Sequence, residues 1–228
     1  LSLIDFLYRC PACGHDPMEG RKDVATCPSC GLQVDRRASG STCLRLRWSG
    51  PPPRSCEVAA ATLADRIAAS GGALSRATTP DGSLSYEAEV RVRTAGTELP
   101  IRYRGRLLGF AERFGGGTPG VLHLSDDALT LHPAPPGATP AEALSQGTPE
   151  PTPQRRWALD DIRSLQTSSS SVQITTATDG VVLLRFVGDS PRRWDELLRH
   201  AISKRWRGMG KGRVQEFQPR IRAEVTPP

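Results

Sequence analysis

Hydrophobic positions follow two different periods in the last quarter of the chain, and the switch between them is sharp. Val172, Ile174 and Thr176 alternate with polar neighbours, Asp179-Gly180 follows, and Val181 to Val187 resumes a β-rich run. Asp-Gly between two such runs predicts a hairpin, because the central residues of a tight turn favour positive φ. After Gly188 the period lengthens. Trp194, Leu197, Leu198, Ala201 and Ile202 recur at i, i+3, i+4, i+7 and i+8, the apolar face of a helix. Ser190 can cap this helix and Pro191 suits its first position, while Lys204, Arg205 and Arg207 favour its negative end before Gly208 stops it. The predicted helix spans residues 190–207 and carries Trp194 into a sheet core.

From residue 84 onward the pattern gives seven strand-like segments: 84–94, 98–109, 119–125, 128–133, 155–168, 171–178 and 180–188. A turn at Ala95-Gly96 would fold the first two into a hairpin over 84–107. That hairpin would bury Val90, Val92, Leu99 and Ile101, and would set Glu87 opposite Arg104, Glu89 opposite Arg102 and Arg93 opposite Glu98. On that register Arg102, Arg104 and Arg106 form part of a solvated salt-bridge ladder and not a phosphate-binding row. Asp126-Asp127 and Asp160-Asp161 fall between strand segments and read as turn residues. Residues 133–154 hold seven prolines and read as an extended insertion. Upstream, Leu44 to Trp48 alternates as a strand. Ser55 is placed to cap a helix running to about Ser70, with Val58, Leu63 and Ile67 on one side and Gly71-Gly72 at its end.

Cys10-Pro-Ala-Cys13-Gly and Cys27-Pro-Ser-Cys30-Gly change the picture at the front of the chain. Each knuckle can present two thiolates from one turn, and two knuckles supply the four soft ligands of a tetrahedral Zn²⁺ with no open position, a structural rather than a catalytic site. Residues 8–34 resemble zinc ribbons with rubredoxin-like knuckles, a group that includes nucleic-acid readers and purely structural modules. His15 reads as a surface residue, and Cys43 and Cys56 as small buried hydrophobes.

The segments from 84 to 207, ending in a helix with a Trp on its apolar face, resemble the pleckstrin-homology superfold in its divergent bacterial form. The resemblance implies two antiparallel sheets closed at one end by the C-terminal helix. The expected class is therefore α+β, mostly β. Its parts are a zinc ribbon at 1–40, a connecting strand-helix segment at 41–83 and a PH-like unit at 84–207 with the Pro-rich insertion 133–154. A basic tail follows at 208–228. A competing parse gives residues 43–113 a small α/β domain of their own.

Composition fits this outline: 22 Gly and 20 Pro with 37% hydrophobic residues point to strands and loops. No apolar run approaches the ~18 residues of a membrane-spanning helix. Leu1 to Arg9 carries Asp5 and lacks a basic n-region, so no signal peptide is expected. A cytoplasmic protein, peripheral to a membrane complex, is the expectation. The formal charge of +6 lies wholly after Pro191, where ten basic residues face four acidic ones. Arg207, Lys211, Arg213, Phe217, Arg220 and Arg222 are the candidate partner-binding residues, with arginine forks for carboxylates or phosphates and Phe217 as an apolar anchor.

Four histidines, His15, His123, His132 and His200, are scattered without metal-ligand spacing, and there is no nucleophile elbow or phosphate loop. No enzyme and no small-molecule substrate is expected. The expected function is a non-catalytic adaptor or accessory subunit docking on the cytoplasmic side of a membrane-associated complex, such as a bioenergetic or lipid-synthesis assembly. Its partner would be a protein, with anionic lipid also considered. The alternative is nucleic-acid binding by the ribbon and basic tail, ranked lower because aromatic stacking platforms are sparse.

Overall fold

The computed structural model describes residues 2–36, 43–49, 54–69, 71–134, 155–168 and 170–210. The class is as expected: α+β, mostly antiparallel strands, with a helix at the C-terminal end of the described chain. Most of the Pro-rich insertion (135–154) and the tail residues 211–228 lie outside the described residues.

Helix α1 (Leu3–Phe6) leads into the first sheet, a meander of β1 (Glu19–Arg21), β2 (Val24–Thr26), β3 (Gln33–Arg36), β4 (Cys43–Trp48) and β5 (Arg54–Ala59). The ribbon's sheet thus takes in two strands from the stretch expected to connect it onward. The helix expected from Ser55 begins later, as α2 (Ala60–Ala69), because residues 54–59 pair with β4 instead. Opposite charges favour that pairing: Arg45 faces Glu57, with 3.8 Å between their charged groups. Val58 accordingly lies on a strand opposite Leu44, while Leu63 and Ile67 are buried as the helical period requires. Cys43 is only half-buried and Cys56 is exposed, against the expectation of buried thiols. β5 is the outer strand of its sheet and leaves Cys56 uncovered. Helix α3 (Leu74–Ala77) then leads to the second sheet.

That sheet comprises β6 (Ser85–Tyr103), β7 (Arg106–Phe114), β8 (Thr118–Ser125), β9 (Ala128–Pro133), β10 (Arg155–Ala158), β11 (Ile162–Thr167), β12 (Val172–Thr176) and β13 (Gly180–Phe186). Strands run in the order β10-β9-β8-β6-β13-β12-β11, with β7 paired to the far part of β6. The expected strand 155–168 is broken by a 3₁₀ turn, Leu159–Asp161. β10 and β11 lie at opposite ends of the order yet only that turn separates them, so the sheet curls until its edges meet. Val90, Val92, Leu122, Leu124, Ile174, Val182 and Leu184 fill the interior. At the Asp179-Gly180 hairpin only Gly180 takes positive φ (64°), and three residues separate the paired Thr176 and Gly180.

Helix α4 (Pro191–Gly208) packs against β11, β12 and the 3₁₀ turn. Ser190 caps it, accepting from the Arg193 N–H at 3.4 Å. The whole predicted apolar face is buried. Trp194 is fully enclosed, stacked on Phe186 at 4.7 Å between ring centres and edge-on to Tyr86 at 5.4 Å. The Asp pairs between strands hold the polar side of this helix. Lys204 donates to Asp126 at 2.7 Å, and Arg205 makes a two-pronged contact with Asp160.

The expected hairpin 84–107 is overturned. No turn occurs at Ala95-Gly96; β6 runs straight through it for 19 residues and turns only at Arg104-Gly105. β7 and β8 then return along β6 in nearly one register, Ile101 opposite Gly109 and Ser85 opposite Ser125. The apolar positions change parity at Ala95-Gly96, from Tyr86, Ala88, Val90 and Val92 to Leu99, Ile101 and Tyr103, as a turn would make them; in the fold a register irregularity between Ala95 and Glu98 takes up the shift within one continuous strand. Leu99 and Ile101 are therefore exposed, at 46% and 47%. Glu89 faces Val121 and Glu87 faces His123, so the proposed ladder with Arg102 and Arg104 does not form.

Candidate metal centre and interaction surfaces

Two loops of like geometry hold the four cysteines. In the first, the Gly14 N–H donates to the Cys10 carbonyl (2.9 Å) and the Cys10 N–H to the His15 carbonyl (2.8 Å). In the second, Gly31 donates to Cys27 (3.0 Å) and Cys27 to Leu32 (2.8 Å). Gly14 and Gly31 sit at φ 74° and 69°, a conformation that side-chain-bearing residues resist. The motif's glycines therefore have a backbone reason.

The loops bring all four sulfurs within 4.8 Å of one another. Cys10 Sγ lies 3.7 Å from Cys30 Sγ, and Cys13 Sγ 3.6 Å from Cys27 Sγ. Metal–sulfur bonds of about 2.3 Å in a tetrahedron would space the sulfurs about 3.8 Å apart. The set is thus arranged to hold a metal ion such as zinc, with no disulfide among the six cysteines. Cys10 and Cys27 are buried and Cys13 and Cys30 exposed, so one side of the site reaches the surface. Burial pushes the Cys10 and Cys30 thiols up, whereas the His15 backbone N–H holds Cys13 down at about 7. A cation at the centre would offset the cost of gathering thiolates there.

Behind the knuckles the ribbon is bonded to α4. Arg193 reaches back with 5% of its side chain exposed and donates to Asp16 Oδ1 at 2.5 Å; its Nη1 lies 3.1 Å from Asp189 Oδ1. It also stands over the Tyr8 ring at 4.9 Å. Burial opposes its charge, but Asp189, Tyr86 and Asp16 outweigh that and raise its pKa. Tyr8 donates to Glu196 Oε2 at 2.5 Å, and burial with that carboxylate pushes its hydroxyl up. The Ser190 hydroxyl donates to the Asp5 carbonyl. An open cavity of about 400 Å³ lies along this seam, bordered among others by Met18, Arg76, Tyr86 and Arg193. Its cations are already neutralised, Arg76 by Asp16 at 3.1 Å and Arg193 by two carboxylates.

Of the sequence-predicted partner-binding residues, Arg207 is exposed at the end of α4 and donates to the Ser203 carbonyl at 3.2 Å. Lys211, Arg213, Phe217, Arg220 and Arg222 lie outside the described residues. Much of the positive charge on α4 itself is not free. Arg192, Arg199, Lys204 and Arg205 pair with Glu196, Asp195, Asp126 and Asp160 respectively.

Sequence reasoning missed the outer half of the β6–β7 hairpin. Beyond Thr94, where β13 ends its pairing, β6 pairs with β7 alone among the described residues. Nine strand residues from Ala95 to Tyr103 form an arm about 30 Å long. Leu99, Ile101, Tyr103, Leu107 and Leu108 are all exposed along it, from 46% to 67%. The sequence carried no signal of it, since Leu99 and Ile101 resemble the buried Val90 and Val92 in type and spacing. The assumed turn hid it by folding that stretch back onto the core.

No helix of the described residues is long and apolar enough to cross a membrane. No known family model matches the chain, and no curated protein is detectably similar to it.

Proposed function

We propose that the chain is a non-catalytic adaptor or accessory subunit that docks peripherally, from the cytoplasmic side, on a membrane-associated complex. A structural Zn²⁺ held by Cys10, Cys13, Cys27 and Cys30 would stabilise its ribbon. The observation that carries the reading is the arm. Five large apolar side chains stand exposed on one hairpin that no further strand supports among the described residues, the kind of surface that marks an interaction site. The curled sheet closed by α4 supports a PH-like reading of residues 84–207, a scaffold whose function lies in its attached surfaces. The buried Arg193 network supports a platform in which the knuckle loop, α4 and the Tyr86 end of β6 are bonded together.

A second reading has its own observation. Arg102, Arg104 and Arg106 cluster at the tip of a two-stranded ribbon, a shape that the major groove of duplex DNA admits. The aliphatic residues of the same arm favour the first reading, because a groove lined by phosphates does not cover them.

Cell fractionation tests the proposal. The full chain is expected in the membrane fraction at low salt, bound to a defined complex on native gels, and release is expected when residues 97–112 are replaced by a short turn. A chain that stays wholly in the soluble fraction and instead retards DNA or RNA would replace this reading with the second.

A further inference from the structure

We infer that a one-residue gap in the row of strand partners beside β6, at Glu87, is a docking slot for a lysine or arginine presented on an extended segment of a partner protein. The slot lies at the opposite end of β6 from the arm and does not rest on the docking reading above.

The gap follows from the direction of the backbone bonds. Along an antiparallel strand, successive residues bond to alternate neighbours. The Ala134 N–H donates to the Pro119 carbonyl at 2.9 Å, so Pro119 turns to β9 and Gly120, the next residue, turns to β6. Gly120 faces Val90 there, and Ala88 and Tyr86 bond to β8 at the same spacing of two. Glu87 and Glu89 therefore turn the other way. The observed bond agrees, since the Val187 N–H donates to the Glu89 carbonyl at 2.9 Å. Gly188, at φ 73°, then leads the chain off toward the Ser190 cap. Below Ser85 the same edge is covered again, where Thr78 bridges Leu84 and the Thr79 N–H donates to the Ser83 carbonyl at 2.9 Å. Between these two covers the N–H and C=O of Glu87 point outward, with no strand opposite them among the described residues.

They open into the seam cavity of about 400 Å³, a size typical of ligand sites. Ile4, Met18 and Val187 give it an apolar side. Its charge is uneven. Arg76 and Arg193 are balanced by Asp16 and Asp189. Asp5, Glu87 and Glu89 then remain on the lining, and among the described residues neither glutamate is paired with a cation. On the inner wall Arg193, with 5% of its side chain exposed, keeps its Nε without a partner among the described residues. A main-chain carbonyl entering the cavity would satisfy it.

One residue closes the gap. Set opposite Glu87, it exchanges both main-chain bonds with it, and its side chain falls on the same face as the Glu87 carboxylate, with Glu89 on the diagonal. A lysine or arginine there meets two unpaired carboxylates, whereas a carboxylate or a phosphate is repelled. Val187 on one side and Thr78 on the other stop an added strand from continuing along β6. The segment therefore enters as the apex of a loop or as a chain end.

The probe is the peptide acetyl-Gly-Val-Arg-Val-Gly-amide, titrated into the full zinc-loaded chain and followed by amide NMR. Two control peptides carry Gln or Glu in place of the arginine. With the arginine peptide, shifts are expected at Glu87, Glu89 and Val187, and the glutamate peptide should bind at least about tenfold more weakly. Glu87→Lys should reverse that order with the melting temperature unchanged, because the side chain is exposed. Glu89→Gln should weaken the arginine peptide a few-fold. No shift at Glu87 up to about 10 mM peptide, or equal affinities for the three peptides, overturns the inference. Binding that both variants leave unchanged also overturns it, since the contact then lies elsewhere. A Glu87 amide already protected from hydrogen exchange in the free chain would show the gap filled by the protein itself, and would sink the inference equally. None of these outcomes touches the adaptor reading, whose test replaces residues 97–112 and leaves Glu87 in place.

Discussion

Arg193 and Asp16 lie 177 positions apart in sequence and 2.5 Å apart in the fold, each with 5% of its side chain exposed. The pair joins the last helix to the loop after the first cysteine knuckle. Asp189 and the Tyr86 hydroxyl share the same guanidinium. This side chain is one of the links through which the ribbon and the curled sheet act on each other, beside Tyr8–Glu196 and Ser190–Asp5.

Arg193→Ala should therefore be costly. Removing one partner of a buried pair leaves the other charge uncompensated, at about 3–5 kcal/mol. Asp16 and Asp189 would both be stranded. Chemical denaturation should show the loss, and proteolysis should show the ribbon freed from α4. A loss under 1 kcal/mol would mean the seam is held by its other contacts, the Tyr8–Glu196 bond among them, and not by Arg193.

Trp194→Ala should cost a similar amount, about 3–5 kcal/mol, because a buried indole leaves a cavity against Phe186 and Tyr86. Its N–H also donates to Asp189 at 2.9 Å, so truncation removes a bond from the same network. Trp194→Phe keeps the stacking and loses only the donor, and should retain most of the stability in a thermal melt.

Freshly purified reduced protein should contain close to one equivalent of zinc. Folding of the ribbon should depend on that metal, since four gathered thiols supply little cohesion by themselves. Chelation should expose residues 8–34 to protease while α4 keeps its protection. Elemental analysis giving less than half an equivalent would count against zinc as the resident ion.

Acid should loosen the clamp on α4. Hydrogen bonding from Lys204 holds the Asp126 carboxyl below its ordinary range. A depressed carboxylate stabilises the fold fully above its unfolded value, about 3.9, and loses that contribution as pH falls through the lower folded value. Stability should thus decline below about pH 4, more shallowly in Asp126→Asn than in wild type. The unfolding midpoint followed against pH in the two proteins checks this, and identical slopes would exclude Asp126 as a contributor.

What the sequence determined by itself is local. The two cysteine knuckles carry their own turn geometry, since Gly14 and Gly31 supply the positive φ that each loop needs. Ser190, Pro191 and the apolar stripe from Trp194 to Ile202 fix the last helix within one residue of its observed span, because a cap and a 3.6-residue period are written in consecutive positions. Tertiary structure alone decided how far β6 runs. Val90 and Val92 differ little from Leu99 and Ile101 in type and spacing, yet the first pair is covered by the curled sheet and the second stands free on the arm. Period two says only that a strand continues; whether a partner layer covers it depends on where β13 stops, 80 or more residues later, at the pairing of Val182 with Thr94. The same holds for Arg193, whose neighbours in sequence give no sign that Asp16 would meet it. Burial and charge pairing are properties of surfaces brought together, and only the folded chain brings these together.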